Sequence, residues 1–129
     1  FAENPNRSPR WIKAYEDPVI GHALRLIHNR PEHPWTVASL AQETGCSRAA
    51  FARRFTSLMG LGPVGYLTDW RLSVAADLLA DPARTVSSIA REVGYSSPFA
   101  LTTAFTRHHG MSPKMYRQTR CAPLLTARG

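Results

Sequence analysis

The sequence predicts an all-helical chain in which two helix-turn-helix units flank one long helix. Three observations carry this expectation. Apolar residues recur at spacings of three and four instead of alternating. Residues 63–79, PVGYLTDWRLSVAADLL, are apolar around much of a helical circumference. The sequence on one side of that stretch also returns on the other.

The elements follow in chain order. Residues 1–16 are rich in Pro, Asn and Arg without periodicity, and read as a tail or linker end. Trp11, Ile12 and Tyr15 are its residues suited to docking on the body. Asp17 then serves as N-cap for a helix with Pro18 at its first position. Ile20, Ala23, Leu24 and Ile27 give that helix an inward face, and it ends before Pro31. Residues 31–35 are a short loop.

The repeat begins next. TVASLAQETGCS starts at Thr36 and TVSSIAREVGYS at Thr85, forty-nine positions later. Beyond the turn, Phe55, Gly60, Pro63 and Tyr66 recur as Phe105, Gly110, Pro113 and Tyr116, now fifty positions apart. The second copy therefore carries one additional residue in its turn. Each copy reads as a short helix, a glycine turn and a longer helix. Val37, Leu40 and Ala41 face inward in the first copy; Val86, Ile89 and Ala90 do so in the second. Gly45 and Gly94 fit a left-handed helix end. Ser47 and Ser97 cap the second helices, with Pro98 at a first helical position. A final helix opens after Ser112-Pro113 and ends near Arg120. The resulting divisions are a tail over 1–16, a first helix-turn-helix subdomain over 17–62 and a linker helix over 63–80. A second subdomain over 81–120 and a C-terminal tail over 121–129 complete the chain.

Charge points to the partner. Sixteen Lys and Arg stand against nine Asp and Glu, giving +7 and a pI near 10.3, which favours nucleic acid or a membrane surface. Only Lys13 and Lys114 are lysines; the rest are arginines, which suit bidentate contact with phosphate or guanine. No acidic residue occurs between Glu43 and Asp69, nor after Glu92, and these intervals contain both turn-following helices.

Other classes find little support. The apolar runs are too short to span a membrane, and no signal peptide opens the chain, so a soluble, cytoplasmic protein is expected. Cys46 and Cys121 form no disulfide framework. His22, His28 and His33 lie outside the repeat, and Cys46 has no neighbouring His, so no metal site is expected. Gly60, Gly62 and Gly65 lack the Lys-Ser/Thr of a phosphate loop. Neither catalysis nor a cofactor is expected. The alternative class is a helical protein- or ligand-binding module with a basic surface.

Helical periodicity assigns the faces. Phe51, Phe55 and Leu58 turn inward on the first long helix, leaving Ala49, Arg53 and Thr56 outward beside Ala52 and Ser57. On the second, Leu101, Phe105 and His108 mark the inner side. Phe99, Thr103 and Thr106 point outward, with Thr102 and Arg107 beside them. Arg53 suits guanine O6 and N7, whereas Thr103 and Phe99 suit a thymine methyl group. Phe99 has a second reading, tucked under the first helix of its unit as core. Arg48, Arg54 and Arg107 sit at the flanks, where phosphate contacts set register.

The pieces LAQETGCSRAAFARRF, GLGPVGYLTDWRLSVAADLL and IAREVGYSSPFALTTAFTRHHGMSPKMYR closely resemble the DNA-binding domain of the AraC/XylS family of transcription regulators. The likeness covers about residues 18–120. It implies seven helices, two helix-turn-helix subdomains and a linker helix, with recognition helices entering adjacent major-groove segments. It implies base-reading positions at Ala49, Ala52, Arg53, Pro98, Phe99, Ala100 and Thr103. Ser47, Arg48, Arg54, Thr56, Ser97, Thr102, Thr106 and Arg107 are the matching candidates for the DNA backbone. The sequence departs from common members at Thr103, often Arg, and at the short Ala49 and Ala52. The resemblance also implies contact with RNA polymerase and an effector-binding or dimerisation domain elsewhere, residues 1–16 then being the end of a missing N-terminal module.

The central stretch gains a task in this reading. Seventeen helical residues span roughly 25 Å, and neighbouring groove segments on one DNA face lie roughly 34 Å apart. The row Leu67, Trp70, Val74 and Leu78 is expected to grip one unit. The row Leu72, Ala75, Ala76 and Leu79 is expected to grip the other.

Overall fold

The computed structural model describes the backbone of residues 9–121 and the side chains of residues 12–119. Among the described residues every regular element is an α-helix. In order they are α1 (Pro9–Glu16), α2 (Pro18–Asn29), α3 (Val37–Thr44), α4 (Arg48–Met59), α5 (Pro63–Leu78), α6 (Val86–Val93), α7 (Pro98–His109) and α8 (Pro113–Cys121). The all-α expectation holds, with eight helices among the described residues where seven were expected.

The additional helix corrects the reading of residues 1–16 as a tail. From Pro9 the chain is helical, and α1 packs on α2 and α4. Ala14 is fully buried, and the Tyr15 hydroxyl lies 2.8 Å from His28 Nδ1. Gly21 on α2 permits the approach, because a Cβ there would overlap the backbone carbonyl oxygen of Tyr15. Ile12, one of the expected docking residues, is half exposed. Residues 1–8, the Trp11 side chain and residues 122–129 lie outside the described residues. Cys121, placed with the C-terminal tail, closes α8.

Two units divide the chain, Phe1–Thr68 and Asp69–Gly129, with the division inside α5. In the first, Asp17 caps α2 by accepting from the Val19 and Ile20 amides, each at 2.9 Å. Ile20, Ala23, Leu24 and Ile27 are buried as their spacing requires, with Leu40 and Ala41 of α3 and Phe51 and Phe55 of α4. Burying one such large apolar side chain contributes roughly 1.5–3 kcal/mol. Thr36 and Ser39 form a reciprocal box at the start of α3, each backbone amide donating to the other's hydroxyl.

The second unit has one apolar cluster. It joins Leu72, Ala75, Ala76 and Leu79 to Ile89, Ala90 and Val93 of α6 and to Leu101 and Phe105 of α7. Val74 and Leu78 pack against the same cluster. The two rows of α5 therefore do not divide between the units. The units divide the helix by length instead: Leu67 falls in the first, and Trp70, Val74, Leu78 and the whole Leu72 row fall in the second. Tyr66 and Leu67 are buried on the first unit's side of that division.

The repeat is visible in the contacts. Phe55 meets Tyr66 edge-on at 5.8 Å between ring centroids, and Phe105 meets Tyr116 likewise at 5.3 Å. Pro63 and Pro113 are both buried at the start of the helix that supplies the tyrosine.

Candidate nucleic-acid interface

Each turn-following helix is aimed by the glycine before it. Gly45 has φ 78° and Gly94 φ 94°, a left-handed conformation that costs an L side chain strain. The amide two residues past each short helix then bonds back into it, Cys46 to the Ala41 carbonyl at 2.9 Å and Tyr95 to the Ala90 carbonyl at 2.8 Å. From there the first unit reaches its cap, Ser47, directly. The second passes through Tyr95 and Ser96 before Ser97, so the turn holds the additional residue expected from the change in repeat offset.

The Ser47 and Ser97 hydroxyl oxygens accept from the amides of Ala50 and Ala100 at 3.2 Å and 3.0 Å. Each hydroxyl keeps its own proton to donate, so cap and phosphate contact are chemically compatible. On α4, Phe51 and Phe55 are fully buried, while Arg48, Ala49, Arg53, Thr56 and Ser57 are exposed and Ala52 is half-buried. On α7, Leu101 and Phe105 are buried. Pro98, Phe99, Thr103, Thr106 and Arg107 are exposed, and Ala100 and Thr102 are half-buried. Of the assigned base-reading and backbone positions, Ala52, Ser97, Ala100 and Thr102 are thus half-buried and the others exposed.

Phe99 resolves its two readings. It is 79% exposed, so it stands outside the core of its unit. The inner row of α7 needs a different correction. His108 is exposed and places Nε2 3.0 Å from Asp69 Oδ1. The row that continues from Leu101 and Phe105 at a spacing of four leads to His109, whose ring lies 4.2 Å from that of Phe105.

Arg54 is engaged within its own unit. Its Nη2 donates to Asp17 Oδ2 at 2.7 Å and its Nε to the same oxygen at 3.0 Å. Burial pushes the Asp17 carboxyl up, but the bonds from Arg54 and from the Ile20 and Val19 amides outweigh it and hold the pKa below its ordinary value. The hydrogen bond to Asp17 raises the Arg54 guanidinium in turn. Thr106 is similarly occupied, its hydroxyl donating to the Thr102 carbonyl at 2.7 Å.

Face assignment from sequence missed two other groups. Arg117 donates to the carbonyls of Leu79 at 2.9 Å and Arg84 at 2.6 Å, fixing the segment between α5 and α6. His28 lies between the hydroxyls of Tyr15 and Tyr66, with Nε2 2.5 Å from Tyr66, and burial lowers its pKa to about 4. Among the described residues, no three His, Cys, Asp or Glu side chains are grouped to hold a metal ion. No described helix is long and apolar enough to cross a membrane.

Residues 40–119 match the family described as a helix-turn-helix domain. A putative AraC-like transcription regulator of Streptomyces antibioticus is 41% identical over 114 residues, covering 88% of this chain and 38% of that protein. The HTH-type transcriptional regulator AlkR of Acinetobacter baylyi is 44% identical over 108 residues, covering 84% of this chain and 35% of the regulator. The RCS-specific transcriptional activator RclR of Escherichia coli is 38% identical over 101 residues, covering 78% and 36%. The chain thus spans less than two fifths of the length of these relatives. Among solved structures, the DNA-binding domain of the global transcriptional factor AdpA, in complex with a target DNA, aligns with a TM-score of 0.77 and 31% identity. That alignment covers 88% of this chain and all of the other.

Proposed function

The chain belongs to the AraC-type family of helix-turn-helix DNA-binding domains of transcription regulators, and on that premise we propose that it reads duplex DNA with both α4 and α7. Each helix enters one of two adjacent major-groove segments in this reading. The observation that carries it is the pair of outward faces. Both follow a glycine turn, both lie in stretches without acidic residues, and both carry candidate base-reading positions that are exposed except at the half-buried Ala52 and Ala100.

Arg53 is the strongest single reader, an exposed arginine with a guanine-matching donor pair. Ala49 and Ala52 offer only methyl-sized contacts. Arg48 and Arg107, with the cap hydroxyls of Ser47 and Ser97, take phosphates. Thr56 and Thr102 flank them. Arg54 and Thr106, already bonded within the chain, contribute less than their positions alone suggest.

Contact with RNA polymerase belongs to the same reading and rests on kinship with an activator. An effector-binding or dimerisation domain elsewhere in a longer protein is supported by the greater length of the relatives. Kinship with the regulators of Streptomyces antibioticus and Acinetobacter baylyi supports action on DNA in the cytoplasm.

Titration of duplex DNA at two salt concentrations tests the reading. Sequence-selective binding that weakens steeply with salt is expected. Equal affinity for every duplex, or none for any, would overturn it.

A further inference from the structure

The two proposed reading helices carry unlike chemistry. The outward face of α4 presents Arg53. The outward face of α7 presents Phe99 and, one turn on, Thr103, and the only arginine of α7 is Arg107 in its last turn. None of the side chains that pair bidentately with a base edge (Arg, Lys, Asn or Gln) stands on the first turns of α7. Whatever selectivity this helix has must come from apolar contact and from hydroxyls.

We propose that α7 recognises the C5-methyl group of a pyrimidine in the major groove, accepting thymine and 5-methylcytosine alike. This rests on the reading of α7 as a recognition helix and specifies what that helix reads. Exposure of one aromatic side chain would not suffice, since isolated exposed apolar residues are ordinary. The placement carries the argument. Ser97 caps the helix and Pro98 holds its first turn, so Phe99 stands at the N-terminal end, where recognition helices meet base edges.

Phe99 has neither donor nor acceptor, so it cannot tell the O4 of thymine from the N4 amino group of cytosine. What it can sense is whether the carbon beside that group bears a methyl. Thr103 does not restore the distinction. Its exposed hydroxyl has no partner among the described residues, and a hydroxyl can donate to O4 or accept from N4. The pair therefore sorts pyrimidines by methylation instead of by base pair.

Four versions of one duplex test this. A site is first selected by the chain from a random pool, and the α7 half is identified as the part whose preferences change in Phe99→Ala. Each pyrimidine there is then set in turn to thymine, uracil, 5-methylcytosine or cytosine, and affinities are measured by fluorescence anisotropy. At one position, thymine and 5-methylcytosine are expected to bind equally. Uracil and cytosine are expected to bind about fourfold more weakly, the factor for burying one methyl-sized group. Phe99→Ala should remove the difference and Phe99→Leu should retain it. Because Phe99 is exposed, neither change threatens the fold. Affinities that pair thymine with uracil and 5-methylcytosine with cytosine would overturn the proposal while leaving DNA reading by α7 intact. Failure to select any site would instead overturn the reading beneath it.

Discussion

Arg54 of α4 lies against Asp17, the residue that caps α2, with the Arg54 Nη2 2.7 Å from one carboxylate oxygen. The other oxygen, Oδ1, receives the Val19 and Ile20 amides. One carboxylate thus holds the start of α2 and ties down the flank of a proposed recognition helix. Asp17→Ala is expected to cost about 0.5–2 kcal/mol, the range for losing a helix cap. Asp17→Asn, which keeps the amide contacts, should cost less. Chemical denaturation measures both, and equal losses would show that the ion pair outweighs the cap.

The same pair separates two arginines that look alike in sequence. Arg48 is exposed with no ion pair among the described residues, and should act on DNA alone. Arg48→Ala is expected to lower the slope of log affinity against log salt by about one, with melting unchanged. Arg54→Ala should lower the melting temperature as well. A salt slope unaltered by Arg48→Ala would remove that residue from the phosphate contacts.

Gly45 isolates the cost of backbone conformation. It has positive φ, and nothing lies within 4 Å of where a Cβ would stand. Gly45→Val should therefore destabilise through strain alone, by about 1–3 kcal/mol. Gly45→Asn should be milder, because asparagine tolerates the left-handed region better. Thermal melts of the two variants give the comparison, and equal melting temperatures would refute it.

His28 predicts an acid-side loss of stability. Burial lowers its pKa to about 4, so the folded chain binds this proton less readily than the unfolded chain, whose His28 has its ordinary value near 6.5. Its contribution is complete above pH 6.5 and is lost as pH falls towards 4. Asp17, also lowered, acts in the same direction at the acid end. In melts from pH 7 to pH 4.5, His28→Gln should flatten the decline while keeping a polar group between Tyr15 and Tyr66. A decline as steep as in the unmodified chain would place its origin elsewhere.

These residues also explain what the sequence disclosed. The positions that recur between copies prove to be architecture: Thr36 and Thr85 cap, Gly45 and Gly94 turn, and Phe55–Tyr66 and Phe105–Tyr116 pack. Repetition therefore made the helices and their core readable. The proposed readers differ between copies, Arg53 against Thr103 and Ala49 against Phe99, so repetition could not mark them; the face assignment and the family resemblance did. Helix α1 carries little signal in the sequence because it is eight residues long and, among its described side chains, docks through the buried Ala14 and the Tyr15 hydroxyl. Its seat depends on Gly21, whose missing Cβ has no periodic signature. The Arg54–Asp17 pair spans 37 positions, a separation that facial periodicity does not reach.

Selection of preferred sites from a random duplex pool, run in parallel on the unmodified chain and on Arg53→Ala, tests the proposal of two reading helices most directly. The unmodified chain is expected to enrich a motif of two parts. Arg53→Ala should relax a guanine preference at one base pair in one part only, a loss of about 1–3 kcal/mol. A motif confined to one part, or weakening spread uniformly over all sequences, would contradict it.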